Sequence, residues 1–93
     1  MLYAARLELD LPYASSLKDK RQTIRSLRDR LRKKNVSVVE SGNQDFWQRA
    51  TVEIALAAIS RGAAEEKREE VRRFLLNYEE LMVAEWREEF VKL

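Results

Sequence analysis

Alternation opens the chain. In LYAARLELDL, residues 2–11, Tyr3, Ala5, Leu7, Leu9 and Leu11 fall on one side, and Arg6, Glu8 and Asp10 fall on the other. A period of two over this length predicts a β-strand with one covered face, and Pro12 ends it. Ser16-Leu-Lys-Asp19 then reads as a capping box opening a helix. Leu17, Ile24, Leu27 and Leu31 follow at spacings of 7, 3 and 4, a single narrow apolar stripe. Lys33 and Lys34 suit the helix C-terminus, and Asn35 suits a left-handed stop. VSVVE at 36–40 is β-branched and short, which predicts an edge strand, and SGNQD at 41–45 has turn chemistry.

From Trp47 to Ser60 alternation returns. Ala50, Val52, Ile54, Leu56 and Ala58 oppose Arg49, Thr51 and Glu53, giving a long third strand. Residues 62–79 have a helical period, with Ala64, Lys67, Val71, Phe74, Leu75 and Tyr78 on the covered stripe. Glu69 with Arg72 or Arg73, and Glu70 with Arg73, stand at helix-neighbour spacing. The last segment, MVAEWREEFV at 82–91, predicts a strand with Met82, Ala84, Trp86 and Phe90 inward. Strand, helix, strand, strand, helix, strand is the βαββαβ order of an α+β ferredoxin-like sandwich: a four-stranded antiparallel sheet with both helices on one face. Ninety-three residues form one such domain, 1–93, with no linker and no second core.

Composition removes many chemistries. Cysteine and histidine are both absent. That excludes disulfides, thiolate nucleophiles, imidazole bases and the usual zinc ligands. No glycine-rich phosphate loop, nucleophile elbow or paired-carboxylate motif is present. Ser15 and Ser16 read as caps. The expectation is a protein that is not an enzyme, with no catalytic residues, no metal or other cofactor and no small-molecule substrate. No apolar run approaches the ~18 residues of a membrane span, and the N-terminus lacks a signal-peptide pattern, so a cytoplasmic location is expected.

Charge is unevenly placed. The net charge is only +2, yet residues 16–34 carry nine Lys and Arg against two Asp, and the remainder is correspondingly acidic. At about 100° per residue, Lys18, Arg21, Arg25, Arg28 and Arg32 form one row beside the apolar stripe. Two readings compete. Either the cations are solvated or paired with acids of the second helix, for which Glu65, Glu66, Glu69, Glu70, Glu79 and Glu80 are available, or they form a continuous ridge matched to the phosphates of a nucleic acid. Contact with a membrane is not expected, because the apolar stripe is narrow and needed for the core.

QDFWQRA at 44–50 is the second unusual stretch. Phe46 and Trp47 are expected to close the end of the core while Gln44 and Asp45 satisfy the turn; the competing reading offers Trp47 and Arg49 as a stacking patch. On the open face of the sheet the pattern places Arg6, Glu8, Arg49, Thr51, Glu53, Glu85 and Arg87. This mixed charge lacks the stacking aromatics of an RNA-recognition motif and suits solvent or a second copy of the chain.

Four segments together resemble one family. ARLELDLP at 5–12, SLKDKR at 16–21, VSVVE at 36–40 and QDFWQRA at 44–50 are similar to the YlxP-like family, small uncharacterised bacterial proteins of ferredoxin-like fold. The resemblance is carried by residues 2–60. It implies a gene neighbourhood of translation initiation and ribosome maturation, hence RNA or a ribosomal particle as partner. It also implies a His in the second turn, where this chain has Asn43. The functional expectation is therefore an RNA- or ribosome-associated protein acting through Lys18, Arg21, Arg25, Arg28 and Arg32, with Trp47 and Arg49 adding stacking. The alternative is a homodimeric structural or interaction module, paired through its sheet, without nucleic-acid contact.

Overall fold

A computed structural model describes residues 1–93. Its elements are β1 (Leu2–Asp10), α1 (Leu17–Arg32), β2 (Ser37–Gly42), β3 (Arg49–Ala57), α2 (Arg61–Leu76) and β4 (Met82–Val91). The strands form one antiparallel sheet in the order β2-β3-β1-β4. Both helices bury one stripe against the same face, so the fold is ferredoxin-like. Tyr3, Leu7 and Leu9 of β1, Val52 and Ile54 of β3, Leu27 and Leu31 of α1, and Val71 and Leu75 of α2 share a single core. The alternation in β1 and β3 thus becomes two strands with one covered face, paired Leu7 to Val52 and Leu9 to Ala50.

Helix α1 begins as its sequence predicts. Ser16 is the N-cap, and its hydroxyl accepts from the Asp19 backbone N–H at 3.1 Å. The reciprocal half of the box is displaced by one residue, because the Asp19 carboxylate accepts from the hydroxyl and backbone N–H of Ser15. Those bonds hold the Asp19 carboxyl below its ordinary 3.8, the hydroxyl being the larger cause. At the other end Asn35 has φ 62°, and the Val36 N–H returns to the Leu31 carbonyl at 3.0 Å.

Several boundaries differ from the pattern: β2 runs on to Gly42, and β3 begins at Arg49. β3 stops at Ala57, and Ser60 is the N-cap of α2, its hydroxyl accepting from the Ala63 N–H at 3.1 Å. Helix α2 closes at Leu76, while Tyr78 still reaches the core beyond the cap. The largest correction lies in β4. Met82 and Ala84 are exposed, and the covered residues are Val83, Trp86 and Phe90. Glu8 pairs with Glu85 but Leu9 pairs with Val83, so Ala84 is the extra residue of a β-bulge that flips the side-chain phase. Of the ion pairs expected on α2, Arg72–Glu69 forms at 3.2 Å, whereas Glu70 pairs with Lys67 at 3.1 Å instead of Arg73. Lys67 also holds the Glu70 carboxyl below its ordinary value.

Neither helix is long and apolar enough to cross a membrane.

A candidate nucleic-acid interface on helix α1

Helical geometry splits eight of the nine cations of 16–34 into three groups, and the ninth, Lys33, is exposed at the helix C-cap. Lys20 falls inside the apolar stripe, between Leu17 and Ile24, and is 1% exposed. Its Nζ lies 2.8 Å from Glu40 Oε2 on β2 and also donates to the Asn43 carbonyl. Arg30 and Lys34 lie on the flank facing α2, where Arg30 sits over the Tyr78 ring at 5.2 Å and Lys34 over Phe74 at 5.5 Å. Lys18, Arg21, Arg25, Arg28 and Arg32 occupy the opposite flank, an arc of about 80° running about 21 Å along the helix.

That flank has neither carboxylates nor aromatic rings against it, whereas Arg30 and Lys34 lie over rings. Of the nine cations only Lys20 has a carboxylate within 4.0 Å. Three of the four acids of α2 are paired within the helix, Glu65 with Arg61, Glu69 with Arg72 and Arg68, Glu70 with Lys67. They lie beyond reach because the ridge faces away from α2, toward the sheet edge made by β2. Lys18, Arg21, Arg25 and Arg32 are exposed, and Arg28 is half-buried with its Nε unpartnered. A cleft of about 460 Å³ between the ridge and the edge strand is lined by Arg28, Arg32, Asn35, Val36, Ser37 and Val38.

The β2–β3 loop stands at the N-terminal end of the ridge. The expectation that Phe46 and Trp47 close the core is wrong: Phe46 is 64% and Trp47 49% exposed. Leu11, Ala14 and Leu81 are buried in the core instead. Trp47 and Arg49 line a cavity of about 560 Å³ with Asp10, Asn43, Asp45, Phe46 and Gln48. Arg49 is not free, since its guanidinium lies 3.4 Å from Asp10. The structure therefore places five cations together on one flank, Trp47 at one end of it, and Arg49 already partnered.

Sequence reasoning passed over two polar clusters. The first is the Lys20–Glu40–Asn43 latch. The empty seven-residue step from Leu17 to Ile24 marked Lys20 as an inward position, and the phase Val36, Val38, Glu40 marked its partner. Asn43, with φ 58°, carries the latch across the sheet: its Nδ2 donates to Thr51 Oγ1 at 2.8 Å, and that hydroxyl donates to Glu8 Oε2 at 2.6 Å. The second lies between β1, β4 and α2. The Tyr3 hydroxyl donates to Glu88 and accepts from Trp86 Nε1 at 3.0 Å, and Arg68 holds Glu88 at 2.6 Å. Burial, and then the bond to Glu88, push the Tyr3 phenol well above its ordinary 10.0. Alternation from Trp86 to Phe90 already puts Glu88 on this side, and it was passed over because a carboxylate is not expected on a covered face.

No group of three or more acidic side chains gathers in a metal-holding arrangement. Fold and surface define a ferredoxin-like α+β protein whose strongest unneutralised charge is one flank of its first helix. The chain belongs to the family described as protein of unknown function (DUF503), whose model matches residues 2–88. It is 35% identical over 82 residues to the Bacillus subtilis (strain 168) protein named "Uncharacterized protein YlxP", covering 87% of this chain and 89% of that one.

Proposed function

We propose that this is a cytoplasmic RNA-binding protein, associated with a ribosomal particle, that grips the phosphate backbone with Lys18, Arg21, Arg25, Arg28 and Arg32. One observation carries the reading. Five cations share a flank about 21 Å long with no carboxylate against them, in a protein that pairs most of its other Lys and Arg. Their mutual repulsion is relieved when a polyanion lies along the row, and arginine forks suit phosphate oxygens. The role is binding rather than catalysis, in keeping with a chain that has neither His nor Cys. Sedimentation of a bacterial lysate through sucrose tests it: the protein travels with ribosomal particles at low salt and is released at high salt. A protein that stays at the top of the low-salt gradient contradicts the ribosomal association.

A second reading has its own observation. The open face of the sheet holds a groove of about 480 Å³ whose floor includes Ala4, Ala55 and Val39, between the ion pair Arg6–Glu53 at 3.7 Å and the side chains Arg87 and Glu89. Small residues under a mixed-charge rim suit a second copy laid face to face, giving a homodimer. The cationic ridge beside β2 opposes pairing through that edge, because two copies would bring like charges together. Light scattering decides between monomer and dimer, and Ala55→Glu on the groove floor dissociates a face-to-face dimer.

A further inference from the structure

Three aromatic side chains stand in water, and all three lie in the two segments flanking the start of α1. Tyr13 is 79%, Phe46 64% and Trp47 49% exposed, whereas Tyr3, Phe74, Tyr78, Trp86 and Phe90 are buried in the core or packed against it. Aromatics left exposed together in a small protein mark a contact surface.

Their platform is tied down. The loop is fixed at its start where Lys20 Nζ donates to the Asn43 carbonyl. It is fixed at its end where Gln48 Nε2 donates to the Ala14 carbonyl at 3.2 Å and the Leu11 N–H to the Gln48 carbonyl at 2.9 Å. Both anchors join it to α1 or the segment leading into α1, so Phe46 and Trp47 are carried at the ridge's N-terminal end.

The adjoining cavity has the wrong charge for phosphate. Its charged residues are Asp10, Asp45 and Arg49, and Arg49 is held by Asp10. A carboxylate beside an aromatic ring repels the backbone but accepts from ring or amino N–H groups, which is what a nucleobase edge offers. Ridge and loop thus divide one ligand: phosphates on the cations, base on the aromatics. A duplex keeps its bases stacked inside and cannot supply one.

Resting on the RNA-binding reading above, we infer that the ligand is single-stranded, with an unpaired base stacked on Trp47 beside Phe46.

Fluorescence anisotropy with a labelled oligoribonucleotide of about 12 residues, within the span such sites cover, tests this against the duplex of equal length. The single strand binds more tightly and quenches tryptophan emission. Trp47→Ala lowers single-strand affinity by about ten-fold, the scale of one stacked base, and brings the single-strand to duplex ratio down toward one. Trp47→Phe keeps most of the preference, and Phe46→Ala lowers it independently. Ile59→Ser, at a residue 99% exposed and outside this surface, changes neither affinity. Equal binding of single strand and duplex, unaltered by Trp47→Ala, overturns the inference and leaves the ridge reading standing. Absence of binding to either RNA overturns both.

Discussion

Replacing Glu40 with Gln should destabilise this protein more than removing the lysine it pairs with. Lys20 sits in the apolar stripe of α1, 1% exposed, with Glu40 Oε2 at 2.8 Å and the Asn43 carbonyl as its polar neighbours. Glu40→Gln leaves an ammonium group buried without a counter-charge. Breaking a buried pair in this way costs about 3–5 kcal/mol at full burial. The Glu40 side chain is 22% exposed, so water screens part of the interaction and the expected loss is about 2 kcal/mol. Lys20→Met removes instead the ion that cannot reach water, places an unbranched apolar chain beside Ile24 and Leu27, and leaves a carboxylate whose Oε2 is buried but whose side chain, 22% exposed, can turn toward water. Its cost should lie within about 1 kcal/mol of zero. Urea denaturation measures both. With a slope of about 1 kcal/mol/M for a chain of this size, Glu40→Gln lowers the midpoint by about 2 M. The double variant Lys20→Met/Glu40→Gln recovers most of that loss, which a double-mutant cycle reads directly. If Glu40→Gln costs no more than Lys20→Met, the latch is not an ion pair that the fold depends on, and the reasoning fails.

Further predictions follow from the helix ends and the tyrosine cluster. Asn35→Ala, at φ 62°, costs about 1 kcal/mol by removing the short polar side chain that makes the left-handed region tolerable, whereas Asn35→Gly, with no β-carbon, is neutral or stabilising; thermal melts of the two separate them. Because the folded Asp19 carboxyl titrates below its ordinary 3.8, its contribution is complete above that pH and lost as pH falls through the folded value. Ser15→Ala should move the Asp19 carboxyl titration, followed by NMR, upward. Tyr3 is shifted the other way, so folding holds its full contribution below pH 10 and loses stability as pH rises further. Tyr3→Phe should remove that alkaline slope and, by stripping Trp86 Nε1 of its acceptor, cost about 1–2 kcal/mol at neutral pH; an unchanged slope contradicts the assignment.

Strand β1 was legible because one face is core and the other is open, so alternation records burial residue by residue. The capping of α1 and its Asn35 stop were legible because they are local chemistry. What escaped had non-local causes. The Ala84 bulge shifts the phase of β4 midway, so alternation chose Met82 and Ala84, both exposed, and missed Val83. Lys20 entered only the charge count of residues 16–34 and was given no place on the helix, and its partner lies across the fold on β2. For the candidate site, the wheel placed the five ridge cations in one row, but their lack of partners depends on which flank faces α2, a tertiary fact. Phe46 and Trp47 were assigned to the core by residue type, whereas both are exposed and Leu11, Ala14 and Leu81 are buried in the core.

The ridge itself is tested most directly by the salt dependence of RNA affinity in the wild type and in Arg21→Glu/Arg25→Glu/Arg32→Glu, three exposed positions whose exchange leaves the core untouched. If the five cations meet five phosphates of a single strand, log K falls with log salt at a slope of about 3.5, and the triple variant loses both the affinity and most of the slope while melting as a folded protein. An affinity and slope that survive the triple exchange would contradict the account.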